Sequence, residues 1–256
     1  MATPYKFYMK HMNAKTGYRA TWDPGKPLEI GMIGKLDGSG VFTVYSSLKA
    51  EGITPEIKAD PSASDLDYTS SDKVSIGIKL SGSAPTVGSA LTAADAGFEI
   101  KFTGEEGVVF KISGYKTLQI VNLKEIESQI KEKYQNSNWD KNWLVVTELI
   151  QADAATIIIS NSKNGSLDLK AKAGVAAGDL KLTDAALGLS VARESGSTLK
   201  FLTQNGLTPL YNVMGLVHPL FGSEKLEKRS IAEILEQEPF KVQGFLDEEL
   251  KQLEDQ

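Results

Sequence analysis

The chain has 256 residues, 41% of them hydrophobic, and a formal net charge of -5, which is enough length and apolar mass for one large domain or two small ones. It contains no cysteine, which excludes disulfides, thiolate metal sites, cysteine nucleophiles and cysteine lipidation. Residues 224 to 256 carry ten acidic and five basic side chains, so the rest of the chain is neutral as a whole and its end is acidic.

The first segment, Met1 to His11, sets Lys6 and Lys10 among Tyr5, Phe7 and Tyr8 and lacks the apolar stretch of a signal peptide. No apolar run approaches the roughly 20 residues of a membrane-spanning helix, so the expected resting form is soluble and cytoplasmic. Residues 5 to 48 read as one N-terminal helix followed by short strands, with Trp22 to Gly25 as a strong turn signal. Lys6, Lys10, Lys15 and Arg19 make this start basic; it suits either anionic headgroups or water.

A strict period of two begins at Lys73, where Val74, Ile76, Ile78 and Leu80 alternate with polar residues and glycine. Phe98, Ile100 and Phe102 repeat the pattern, and Val108, Phe110 and Ile112 follow a glycine turn. From Asn122 the period changes to that of a helix: Leu123, Ile126, Ile130 and Tyr134 share one face, with Asn122 and Glu125 spaced as a capping box. Leu144 to Ile150 and Thr156 to Ile159 read as two buried strands. Alternation then returns with Leu167 and Leu169, with Leu180 and Leu182, and with Leu187, Leu189 and Val191. Thr198 to Leu202 is a last strand, and Leu207 to Phe221 an apolar helical stretch bent by Pro209 and Pro219. Gly222 to Arg229 reads as an exposed linker. Beyond it, Ser230 and Glu233 form a second capping box, and Ile231, Ile234, Leu235, Phe245, Leu246 and Leu250 need a surface on which to pack.

The fold class that follows is α+β: a twisted antiparallel or mixed sheet with amphipathic hairpins and surrounding helices in a body of residues 1–222, and a short acidic helical tail at 223–256. The histidines, His11 and His218, stand in no metal-ligand pattern, and the chain has neither a phosphate-binding glycine loop nor a nucleophile elbow. An enzyme, a metal and a cofactor are therefore not expected, and a neutral body argues against nucleic acid as a partner. The alternating strands fit an ordinary sheet with one face on a core. They also fit transmembrane hairpins, apolar toward lipid and polar toward a lumen. Two hairpins are candidates: Lys73 to Leu80 with Gly97 to Thr103, and Ala155 to Ala173 with Gly178 to Arg193. One chain offers four such strands, so a closed ring needs many copies.

Two stretches carry a family resemblance. Val145, Val146, Thr147, Glu148 and Gln151, and then Gly196, Ser197, Leu199 and Phe201, resemble the paired strand motifs of the gasdermin N-terminal pore-forming domain, at a similar spacing. The resemblance implies a twisted sheet with surrounding helices that oligomerises on acidic phospholipid and inserts two hairpins per copy, killing the cell in immune defence or self/non-self recognition. The short tail is similar to that of microbial gasdermins, bacterial or fungal; bacterial members often carry an acylated N-terminal cysteine, so its absence points to a fungal-type or cysteine-free member. In this frame the tail inhibits until a partner protease cuts, with Phe221, Lys225, Lys228 and Arg229 as candidate sites, and the released body moves from cytoplasm to cell membrane. The competing expectation is a non-enzymatic β-rich binding or scaffold protein whose tail recruits a partner.

Overall fold

The computed structural model describes residues 4–22, 27–37, 40–70, 73–79, 97–161, 165–171, 187–193, 198–217 and 225–228. Three long strands dominate it: β8 (Gly107–Ile120), β9 (Leu144–Ser160) and β12 (Thr198–Val217). Strand β9 is central, paired with β8 from Val108↔Ile159 to Gln119↔Glu148 on one side and with β12 on the other. Both its faces are covered, since Ile157, Ile158 and Ile159 are each 0% exposed. That is why the sequence there is a continuous apolar run and not an alternation.

Shorter strands complete this nine-stranded sheet. β1 (Arg19–Ala20) and β13 (Lys225–Lys228) pair with β12, β2 (Met32–Leu36) joins the start of β9 to β3 (Phe42–Ser47), and β4 (Ile57–Ala59) and β5 (Ser64–Thr69) pair with β8. Each of these pairings is antiparallel. The helix α1 (Pro4–Thr16) packs Phe7, Tyr8, Met9 and Met12 against Phe110, Ile112, Ile157, Ile159 and Leu210. The helix α2 (Leu123–Gln135) packs Ile126 and Ile130 with Ile33, Leu48, Ile120, Trp139 and Val145. Each such aliphatic side chain contributes about 1.5–3 kcal/mol on burial.

The α+β class, the antiparallel sheet and the amphipathic helix from 123 are as the sequence implies. Four local expectations are corrected. The two strands expected at 144–150 and 156–159 are one, because the intervening Gln151 and Asp153 are exposed on a strand whose ladder to β12 continues through Ala152 and Ala154. The helical stretch expected from Leu207 is the second half of β12: Leu207, Leu210, Tyr211, Val213 and Leu216 are all buried, so neither period shows, and Pro209 sits between Leu207 and Leu210, where the ladder slips. Asn122 does not cap α2 with its side chain. Its Oδ1 instead accepts from the Glu56 N–H at 2.8 Å while its amide donates to the Thr54 carbonyl at 3.1 Å, tying the approach to β4 to the start of α2. The linker expected at 222–229 holds a strand at its centre, since β13 pairs with β12 from Val217↔Lys225 to Met214↔Lys228 and Leu226 packs on the α2 cluster.

Candidate membrane-inserting sheet

Beyond the long strands lies a second, four-stranded sheet of β6 (Val74–Lys79), β7 (Gly97–Phe102), β10 (Ser166–Ala171) and β11 (Leu187–Arg193), in the order β11-β10-β7-β6. Its strands are the alternating segments of the sequence, and both expected hairpin pairings form: β6 with β7, and β10 with β11. The third pairing, β7 with β10, has no local signal in the residues and joins the hairpins into one sheet.

The register lines up like residues across all four strands. Ile78 faces Phe98, Phe98 faces Leu169, and Leu169 faces Leu189, an apolar row from edge to edge. Ile76 faces Ile100, which faces Leu167. Between these rows Gly77, Glu99, Asp168 and Ser190 form another, without an aliphatic or aromatic side chain. Because side chains alternate between faces, these rows sort the residues they pair into an apolar and a polar side, with a one-residue shift in the β10–β11 pairing between Ser166 and Asp168. Where side chains are described, the apolar side is covered: Val74, Ile100 and Phe102 are buried, while Ser75 and Lys101 are exposed.

The boundary with the nine-stranded sheet falls at residues 103–107. Phe102 lies so close over Gly107 that a Cβ there would stand 2.5 Å from its ring; only glycine lets that ring close the corner. Ser70 holds the opposite strand, its N–H donating to the Val108 carbonyl at 3.0 Å and its Oγ accepting from the Val108 N–H at 2.8 Å. Lys73 reaches Glu106 at 3.4 Å. Glu106 has φ of 64°, a left-handed conformation that non-glycine residues seldom adopt.

The second expected hairpin is therefore shorter than the sequence implied. Residues 155–160 belong to β9 and its core, and only Ser166–Ala171 enters the four-stranded sheet. Leu80, Leu180 and Leu182 lie outside the described residues. So do Phe221 and Arg229 and the tail residues Ile231, Ile234, Leu235, Phe245, Leu246 and Leu250. Lys225 and Lys228 are in β13, a paired strand and not the open chain that a protease takes up.

The basic start is divided. Lys6 lies on α1, Lys10 is half-buried there, and Lys15 in the last turn is exposed. Arg19 is a correction: at 7% exposed it is part of β1 opposite Tyr211, so its guanidinium is enclosed and not offered to a surface, and burial pulls its pKa down. Burial also pushes the neighbouring Tyr211 hydroxyl up to about 12. Phe7 and Tyr8 are likewise in the core and not available to headgroups.

The motif residues of β9 from Val145 to Glu148 are packed into the sheet, and Gln151 is exposed. Val145 and Val146 are 0% exposed, and Glu148 accepts from the Asn212 amide of β12 at 2.6 Å. Leu199 and Phe201 face Ile159 and Ile157 across the β9–β12 ladder; Gly196 and Ser197 lie outside the described residues. Among the described residues no helix is long and apolar enough to cross a membrane, and no group of His, Cys, Asp and Glu side chains is set to hold a metal.

Comparison with known proteins adds three findings. A family model described as the Bacterial Gasdermin Family matches residues 26–210. Solved structures similar to this chain include a bacterial gasdermin from Bradyrhizobium tropiciagri, 14% identical with a TM-score of 0.37 over 86% of this chain and 89% of that one. They also include a gasdermin A3 membrane pore, 11% identical with a TM-score of 0.36 over 89% of this chain and 94% of that one. No curated protein matches.

Proposed function

The chain belongs to the bacterial gasdermin family, and on that premise we propose that it kills cells in immune defence by oligomerising on acidic lipid membranes and inserting its two hairpins as part of a β-barrel pore. The observation that carries this reading is the apolar row Ile78, Phe98, Leu169 and Leu189, which crosses all four strands in one register. A sheet with one apolar and one polar side is what a barrel wall needs, and closure by many copies removes the open edges that hydrocarbon does not tolerate. Transfer of the apolar side from protein to lipid costs no exposure to water, and further apolar surface removed from water contributes about 25 cal/mol per Å². No step calls for a catalytic residue or a cofactor.

In this reading Lys6, Lys10 and Lys15 attract the anionic surface, each worth about 1 kcal/mol where it lies near the headgroups. The acidic tail holds the resting protein in the cytoplasm by docking Ile231, Ile234, Leu235, Phe245, Leu246 and Leu250 on the body. Activating proteolysis falls beside β13 and not within it, at Arg229 or at Phe221, since the strand shields Lys225 and Lys228.

Dye release from acidic-phospholipid liposomes tests the proposal, with the full chain compared before and after cutting at a site engineered between Arg229 and Ser230. Leakage only after cutting is the expected result. Leakage without cutting removes the tail from the mechanism and leaves the pore; silence in both, with the cut protein still folded, returns the chain to the class of β-rich binding proteins.

A further inference from the structure

The two sheets alternate along the chain. β5 precedes β6, β7 precedes β8, β9 precedes β10 and β11 precedes β12, with one member of each pair in either sheet, so three seams between neighbouring pairs can be compared. On the first seam Gly97 faces Lys170 and Lys101 faces Ser166 in the four-stranded sheet, and Gly107 faces Ser160 and Gln119 faces Glu148 in the nine-stranded one. From Lys101 to Gly107 one strand advances six positions, and from Ser166 to Ser160 its partner retreats six. The Phe102 N–H donating to the Gly165 carbonyl at 2.8 Å keeps the same frame at the edge of the break. On the second seam Lys170 faces Gly188 and Ser160 faces Thr198, ten positions apart on both strands, but between them the pairing shifts by one residue, with Ser166 facing Arg193.

The third seam behaves differently. Thr69 faces Val109 and Val74 faces Phe102, so five positions on β5–β6 oppose seven on β7–β8. The surplus of two residues is taken up at 103–108, where Glu106 has its left-handed φ and pairs with Lys73.

Two sheets that merely abut have no reason to keep one frame. A slip of one residue turns every side chain to the wrong face, and a slip of two breaks the apolar rows, so the frame is the costly thing to change in any β rearrangement. We propose that the pairing frame of the inserted sheet is already set in the soluble fold: insertion joins the two sheets across the first two seams with no net change of register, and rearrangement is confined to the one-residue shift beside Ser166 and to the bulged corner between β5–β6 and β7–β8. This rests on the pore-forming reading above and specifies how that sheet converts.

Cross-strand disulfides test it, and a chain without native cysteines makes the pairing unambiguous. One variant combines Lys101→Cys with Ser166→Cys, a facing pair on the first seam; a second combines Asp168→Cys with Ser190→Cys on β10 and β11. All four positions alternate with the apolar residues, so the substitutions leave the apolar rows alone. Each full chain, carrying the engineered cut site, is oxidised while soluble, its bond and its circular dichroism are checked, and it is then cut on acidic liposomes with and without reductant. The proposal expects both bonds to form in the soluble protein and the oxidised proteins to leak within about twofold of the reduced ones. A bond that fails to form in a folded variant overturns the soluble frame. A bond that forms and lowers leakage tenfold or more, restored by reductant, overturns the frame's survival on insertion. If the reduced variants and the unsubstituted chain are all silent, the pore-forming reading itself fails and takes this inference with it.

Discussion

The nine-stranded and four-stranded sheets alternate along the chain, yet they bury their strands differently. In the first, residues 155–160 of β9 are buried without exception, and α1 and α2 each add a cluster of apolar side chains to the strands. In the second, burial alternates with exposure, as Val74 and Ser75 and then Ile100, Lys101 and Phe102 show. A strand wrapped by protein on both sides has nothing to gain from lipid. A strand with one apolar face can exchange its cover, since removing protein from that face and supplying acyl chains leaves the polar face in water throughout. The difference suits the first sheet to holding the protein together and, on the proposed function, the second to changing its surroundings.

The contrast breaks most sharply with a carboxylate placed in each sheet. Ile157→Asp buries an unpaired charge where no water reaches, a penalty of several kcal/mol against a total stability of roughly 5–15 kcal/mol. The expected outcome is a chain without cooperative unfolding in circular dichroism and without leakage. Leu169→Asp, in the middle of the apolar row, should abolish leakage and lower the thermal midpoint of the soluble chain, which nevertheless keeps a cooperative unfolding transition. If Leu169→Asp also unfolds the soluble protein, the two sheets are one cooperative unit and the distinction drawn between them is wrong.

At the border of the two sheets the effect is smaller. Gly107→Ala places a Cβ 2.5 Å from the Phe102 ring and 3.1 Å from Val74, which forces both out of position at a cost of about 1–3 kcal/mol. Protection of amides in residues 74–79 and 97–102 from hydrogen exchange should fall while protection along β9 is kept; equal loss along β9 would mean that the corner is not a boundary. Smaller still is Asn122→Ala, which removes two hydrogen bonds to residues 54–56 and should cost about 1 kcal/mol in urea unfolding, all within the nine-stranded unit.

The same contrast explains what was legible in the sequence. Alternation marks the four-stranded sheet because its two faces differ, and Val74, Ile76, Ile78, Phe98, Ile100, Leu167, Leu169, Leu187 and Leu189 are all on its strands. Burial on both sides erases periodicity, so β12 from Leu207 onward reads as helical and the exposed pair in mid-β9 reads as a break. The pairing of β7 with β10 brings together residues more than sixty positions apart, with no local signal to announce it. Arg19 read as a surface cation because one residue opposite a strand not yet formed carries no mark of its own burial. The absence of cysteine points to a fungal-type or cysteine-free member, and with a bacterial family match the second alternative is the one that fits.

The smallest effect concerns pH and belongs to the nine-stranded side alone. Burial alone would raise the Asp140 carboxyl, but the Lys35 ammonium at 2.5 Å and the Asn142 N–H at 2.8 Å outweigh it and hold the group below the usual carboxylate range. A pKa lower in the folded state than in the unfolded one means that the folded state binds fewer protons between the two values. The stabilisation is therefore complete above about pH 4, the unfolded value, and is lost as pH falls through the folded one. Both side chains are about one-third exposed, so the pair is worth about 0.2–1 kcal/mol. Asp140→Asn should lower stability by that amount at pH 7 in urea unfolding, with the gap to the unsubstituted chain narrowing below pH 4 and with leakage at pH 7 unchanged. A gap that persists undiminished at pH 3 would make the Asn142 contact, which an amide oxygen also accepts, irrelevant to the loss and would place its cause in packing; a fall in leakage at pH 7 would tie β2, through Lys35, to the moving sheet.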